Sequence, residues 1–434
     1  MRNKLIALLL AAAALALCAC GGGKGAEEPG QENTSLYVVT SYGPDDGNRK
    51  NFEAAVRAYE EATGNHVVDG SGVSNEEWKT KVMTDFMTGS EPDVLFYFTN
   101  ADADPFINAG RVVSIEEIRQ VYPDYATNMK EAMMSVAADG KHYAVPSNGY
   151  WETLFVNKSV LEACGIPIPG PDYRWEQFLA DCERIREAGF TPIACSLAEI
   201  PHYWFEFMVM NNGSLADHLE IPQLDEEGRL LDDAASRKWI AALEDIKALY
   251  EAGYFPKNTL TAADAETVAL FARGEAAFLV DGSWKVGYFT DNYPDKLENF
   301  VVSYVPGKGE RKASEAIGGI SMGYFITRKA WEDPAKREAA VSFVFHMTSE
   351  DVLSSFVTTE ATALLDGARP AGLNIIQQSA ADANVHITGM VDAVQDTISG
   401  EASGELFADI PRVVTGQMTA REAVEAAIRL NRLG

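Results

Sequence analysis

The chain has 434 residues, 36 of them basic and 64 acidic, for a formal net charge of −28. An apolar share of 47% is that of a folded protein, because disordered chains lack the apolar surface that offsets ordering entropy. The negative balance argues against nucleic-acid binding, which needs basic surface against phosphate, and against attachment through anionic lipid headgroups.

At the N-terminus Arg2 and Lys4 lead into thirteen apolar residues, 5–17. A membrane-crossing helix needs about twenty, so a short apolar run behind a positive start reads as an export signal spanning 1–19. It ends in Leu17-Cys18-Ala19-Cys20-Gly21, which resembles a lipobox, in which a Cys is lipidated and becomes the mature N-terminus. Cys20 fits that role: Ala19 before it is small and glycines follow, whereas Cys18 has Leu17 before it. An ordinary cleaved signal with incidental cysteines is the competing reading. Residues 20–34 then form a lipidated Cys and a Gly- and Glu-rich tether, with an r.m.s. reach of roughly 20 Å. Cys164, Cys182 and Cys195 remain, odd in number and in apolar settings. Free buried thiols are expected, against the alternative of a Cys182–Cys195 bridge.

Strand and helix signals alternate from there. A β-branched run at 36–40 precedes Phe52, Ala55, Val56 and Tyr59 at helical spacing, with Gly64 as a stop. A second strand is expected at 66–69. Ser74 and Glu77 have capping-box spacing ahead of Trp78, Val82 and Phe86, and Ser114 and Glu117 repeat it. Between them 94–98 is an apolar run bounded by turn signals, as a buried parallel strand would be. The pattern recurs after 150: an extended segment at 154–156, helices at 175–188 and 239–249, and a strand at 276–280. A Gly-rich extended stretch follows at 316–327, and the remainder from about 330 reads as almost wholly helical. This order implies an α/β architecture with parallel-type sheets, in two units of comparable size.

Catalytic signatures are scarce. No nucleophile elbow, H-E-x-x-H, Walker A or C-x-x-C motif is present, and the six histidines do not pair at helical metal spacing. No catalytic residue, metal or cofactor is therefore assigned. A glycosidase needs only two carboxylates at a suitable separation, so that reading stays open. Aromatic residues beside small and polar ones at expected strand ends stand out: Tyr42 after Ser41, Asn100 after Tyr97 and Phe98, Tyr150-Trp151-Glu152, Tyr203-Trp204 after His202, and Asp281 three residues before Trp284. In α/β sheets ligands bind beyond the carboxyl ends of strands. A flat ring suits the apolar face of a pyranose, and Asn, Asp and Glu suit its hydroxyls.

Several segments in order carry a family resemblance. They include Pro92-Asp93-Val94, Ala109-Gly110, Asp139-Gly140 through Pro146, Leu154-Phe155-Val156-Asn157-Lys158, Trp175 through Phe178, Ala188-Gly189 through Pro192, Gly274 leading to Asp281-Gly282-Ser283-Trp284, and Gly318-Gly319-Ile320-Ser321. The chain resembles the extracellular solute-binding proteins of bacterial ABC importers, in the family of maltose-binding protein. That resemblance implies a two-lobed periplasmic-binding-protein fold of type II, with residues 35–145 plus 304–330 in lobe 1 and 146–303 plus 331–434 in lobe 2. It implies sugar stacking on Trp284, a polar contact at Asn100, a pocket wall at Tyr203 and Trp204, and a subsite at Tyr150 whose acid is displaced to Glu152. Tyr42, Trp151, Asp281 and Ser321 complete the expected ligand-binding set. The implied function is a lipid-anchored, monomeric carbohydrate receptor delivering to permease transmembrane subunits. The alternatives are a non-sugar solute, a sensor-kinase co-receptor, or a secreted glycan-acting enzyme.

Overall fold

The computed structural model describes residues 33–44, 46–147, 149–319, 322–356 and 372–431. The expected export signal, Cys20, most of the tether and Ser321 lie outside the described residues. Strands in chain order are β1 (Ser35–Val39), β2 (His66–Asp69), β3 (Val94–Phe98), β4 (Val145–Pro146), β5 (Tyr150–Asn157), β6 (Thr191–Ile193), β7 (Ala276–Gly282), β8 (Phe300–Ser303), β9 (Glu315–Gly319), β10 (Met322–Ile326) and β11 (Gly389–Val391). They form two sheets, ordered β2-β1-β3-β10-β4 and β11-β9-β5-β7-β6, with β8 also pairing β5.

The sheets are mixed, which corrects the expectation of parallel ones. β1 runs parallel to β2 and β3, with Val38 opposite Val94, but β10 runs antiparallel to β3, with Tyr324 opposite Phe96. In the second sheet β5 is antiparallel to β7, β8 and β9, while β6–β7 and β9–β11 are parallel. A parallel neighbour within one sheet needs a crossover helix. β10 instead follows β9 of the other sheet directly and can enter in either direction.

Local chemistry sets the element boundaries. The helix Arg49–Thr63 buries Phe52, Ala55 and Tyr59 and ends at Gly64, whose φ of 73° is the left-handed conformation that closes a helix. The cap expected at Ser74 lies one residue later: the Asn75 side chain accepts from the Trp78 amide at 2.9 Å. Ser114 caps as its spacing predicts, accepting from the Glu117 amide at 3.2 Å. Such caps contribute about 1 kcal/mol each.

Each sheet has its own apolar core. Leu36, Val38, Val94, Phe96 and Tyr324 pack with Phe343, Val344, Met347 and Phe356. The helices Pro334–Met347 and Glu350–Phe356 therefore join the first sheet, although the sequence division had put 331–434 wholly with the second. The reason is local: β10 runs through the Thr327 cap into the helix Arg328–Glu332, whose Ala330 and Trp331 already pack in the first core. The opposite face of the first sheet covers Val39, Leu95 and Tyr97 with Trp78, Phe86 and Phe106. The second core joins Leu154, Phe155, Phe178, Trp239, Phe278, Ile410 and Val424. Cys164, Cys182 and Cys195 are free thiols, the last two buried. Among the described residues no helix is long and apolar enough to cross a membrane.

The chain passes from sheet to sheet between β4 and β5 and between β9 and β10. Glycines permit this crossing. A Cβ on Gly318 would stand 2.5 Å from the Tyr150 carbonyl oxygen, and one on Gly319 would overlap the Asp392 carboxylate.

Candidate functional site

Backbone periodicity decides which of the expected residues meet. Successive strand side chains point to opposite faces. In β5, Trp151 enters the second core at 1% exposure, so Tyr150 and Glu152 share the other face. Successive helical residues are about 100° apart. In the helix His202–Asn211, Trp204 turns into the core and stacks on Phe178, ring centroids 5.7 Å apart, while Tyr203, buried in the same core, meets Trp284 instead. β7 ends at Asp281-Gly282, and Trp284 then opens the helix Lys285–Asn292.

Three rings converge where these elements end. The Trp284 centroid is 6.1 Å from that of Tyr150 and 6.2 Å from that of Tyr203, and the His202 ring lies 4.1 Å from Tyr203. The Trp284 indole folds back over Gly282, where a Cβ would overlap its six-membered ring. Gly282 is thus required by close approach rather than by an unusual φ.

Carboxylates surround the rings. Glu152 is buried, and its Oε2 has no hydrogen-bond partner. Burial, then Glu206, Asp396 and Asp281, hold its pKa well above the usual carboxylate range. Burial likewise raises Asp281. Lys285 Nζ lies 3.1 Å from Asp264 Oδ2 and 3.4 Å from Asp281 Oδ2. Burial opposes the charge on Lys285, but these two carboxylates outweigh it and raise its pKa. Glu206 accepts from the Val394 amide at 2.6 Å, the Gln395 amide at 2.9 Å and the His218 ring at 3.2 Å. It thereby ties down the turn of helix Val394–Thr397 that carries Asp396. Burial, reinforced by Glu206 and opposed by Asn100 and Lys79, pushes Asp396 up to about 7.

The first sheet reaches this region from β3 and from the loop after β1. Asn100 donates through Nδ2 to Asp396 Oδ1 at 3.1 Å, while its own oxygen accepts from the Asp102 amide. Beside it Lys79 pairs with Asp102 at 2.9 Å and lies over the Phe98 ring. On the other edge Lys50 pairs with Asp291 at 2.9 Å, and Gly47 packs so closely that a Cβ would stand 2.8 Å from the Tyr288 amide. Tyr42 does not take part. It is buried in the first core, stacked on Phe96 at 5.0 Å and flanked by Phe52 and Phe356.

The structure therefore gathers Asn100, Tyr150, Glu152, Tyr203, Asp281 and Trp284, and sends Tyr42, Trp151 and Trp204 into cores. Sequence reasoning missed Glu206, Asp264, Asp396 and Lys79. For Glu206 a signal existed: it is the one acidic residue in a mostly apolar helix, three residues after Tyr203 and so on its side. Asp396 had none, since only the fold brings it there. Among the described residues no group of His, Cys, Asp and Glu could hold a metal ion. A separate depression of about 270 Å³ adjoins Asn100, lined by Thr99, Ser135, Tyr143 and Phe325 but by none of the three rings.

Residues 54–384 match the model of a family described as bacterial extracellular solute-binding protein. No curated protein matches the sequence. Among solved structures, a chitin oligosaccharide binding protein is 19% identical, with a TM-score of 0.76 over 93% of this chain and 99% of that one. The GacH receptor of Streptomyces glaucescens, solved unliganded and with acarbose, is 17% identical, with a TM-score of 0.70 over 92% and 98%. The substrate-binding protein Lmo0181 of Listeria monocytogenes, solved with cycloalternan, is 15% identical, with a TM-score of 0.68 over 93% and 99%. At these identities the likeness concerns the fold.

Proposed function

The chain belongs to the bacterial extracellular solute-binding proteins, and from that premise we propose that it captures a carbohydrate between two lobes and delivers it to an ABC importer permease. The observation that carries the reading is the convergence of Tyr150, Tyr203 and Trp284 beside Glu152 and Asp281. Rings offer a stacking surface for the apolar faces of a sugar, and carboxylates accept from its hydroxyls. Stacking contributes about 0.5–1.5 kcal/mol per ring beyond burial. Three rings and several hydrogen bonds make micromolar binding, about −8 kcal/mol, attainable. The structural relatives are named for, or were solved with, chitin oligosaccharide, acarbose and cycloalternan, which supports the same class.

In this reading one lobe comprises 34–146 with 322–356 and the other 150–319 with 372–431, each around its own core. The two lobes would close on the ligand by hinge motion. The contacts of Asn100 with Asp396 and of Lys50 with Asp291 would form on closure. The protein acts as a monomeric receptor without catalysis, tethered outside the cell membrane by lipid on Cys20.

The test is a thermal-shift screen over mono- and oligosaccharides, since a ligand that binds only the native state raises the unfolding midpoint. The expected result is a saccharide-specific rise that Trp284→Ala removes. Turnover of a glycan by the purified protein, lost on a single carboxylate substitution, would contradict the receptor reading.

A further inference from the structure

The three rings account for an apolar ligand face, but they leave the charge around them unexplained. Glu152 shares the Tyr150 face of β5, is 2% exposed, and has an Oε2 without a hydrogen-bond partner. A carboxylate oxygen with no donor in so dry a place is costly unless something else supplies one. Three other carboxyl groups bear on it from three separate elements: Asp281 at the end of β7, Glu206 on the helix His202–Asn211, and Asp396 on the turn Val394–Thr397.

The nearby cations are already engaged. Lys285 serves Asp264 and Asp281, and Lys79 serves Asp102. Asp396 accepts from the neutral amide of Asn100. Among the described residues neither Glu152 nor Asp396 forms an ion pair, and the one cation that bears on Asp396, Lys79, is paired with Asp102. A neutral hydroxyl would donate one hydrogen bond to Glu152 and leave in place the mutual repulsion that, on top of burial, keeps these acids protonated. An ammonium group donates up to three and removes it. Aromatic faces favour the same choice, because a cation within about 6 Å of a Trp or Tyr ring is attracted by its quadrupole.

Building on the carbohydrate reading above, we propose that the ligand carries a protonated amine, received by Glu152 and Asp396 beside the Trp284 indole. The substrate class is then an amino sugar or an oligosaccharide of amino sugars, rather than a neutral or acidic glycan.

The experiment is calorimetric titration of the full mature chain at neutral pH with matched pairs that differ in one group: glucose and glucosamine, galactose and galactosamine, cellotetraose and the tetramer of β-1,4-linked glucosamine. The aminated member of the bound pair should bind at least tenfold tighter than its hydroxyl counterpart. Glu152→Gln should erase that preference while raising the ligand-free unfolding midpoint, because it removes a buried acid that lacks a partner. If Glu152→Gln does not fold, Asp396→Asn reads the same preference, which should fall at least threefold. Equal or tighter binding of the hydroxyl member, or a preference that survives both substitutions, overturns this inference and leaves the carbohydrate reading standing. If no saccharide of either kind binds, both are overturned.

Discussion

Tyr42 follows β1 and Tyr150 begins β5, so both are tyrosines at the end of an interior strand. Their surroundings differ completely. Tyr42 is roofed by the helix Glu350–Phe356, stacks on Phe96 and touches Phe52 and Phe356, so its ring is part of the first core. Tyr150 has Trp284 as its aromatic neighbour and Glu152 on its own face of the strand. The difference is one of covering: a helix seals the Tyr42 ring into the first core, whereas the Tyr150 ring meets Trp284 beside a buried acid. The second half gathers rings and buried acids at its strand ends. The first half seals its own and supplies polar contacts from loops.

This comparison can be broken at either end. The largest effect is expected at Tyr42: Tyr42→Ala should cost about 3–5 kcal/mol of unfolding free energy in urea, as for other large-to-small core changes. Trp284→Ala should change the ligand-free midpoint little but weaken saccharide binding about a hundredfold, roughly 2.7 kcal/mol by calorimetry. If the two phenotypes are exchanged, the assignment of core and site is reversed. Gly282→Ala should be milder, about tenfold or 1.4 kcal/mol, because a Cβ there displaces the indole without removing it.

The acids make the second half sensitive to pH. Asp396 is pushed up to about 7 from an ordinary value of 3.8. Between those values the folded state binds more protons than the unfolded state, so stability must fall as pH rises through this window. Glu152, also raised, acts in the same direction. The ligand-free protein should lose about 1–2 kcal/mol between pH 5 and pH 8, and Asp396→Asn should flatten the profile. The smallest effect belongs to the first-half contacts. Lys50→Ala, which removes an exposed pair with Asp291, should alter stability by no more than about 0.5 kcal/mol.

Much of this was legible from local pattern. Helical spacing and Gly64 located the helix Arg49–Thr63, Ser114 announced its cap, and the Asp281-to-Trp284 turn placed a ring at a strand end. Two kinds of information were not. Adjacent aromatics such as Tyr203-Trp204 and Tyr150-Trp151 look like pairs in a sequence, but strand alternation and helical rotation turn one of each away from Trp284. Long-range placement is the other. Nothing near residue 396 signals a meeting with Asn100, and nothing in 322–326 signals antiparallel insertion beside β3. Both follow from crossings between sheets, which local propensity does not encode.

The most direct measurement is a crystal structure of the saccharide complex. The account predicts a sugar ring lying over the Trp284 indole between the two halves, flanked by Tyr150 and Tyr203, with a polar substituent on Glu152 Oε2. A saccharide held instead in the depression lined by Ser135, Tyr143 and Phe325, with the three rings untouched, would contradict it.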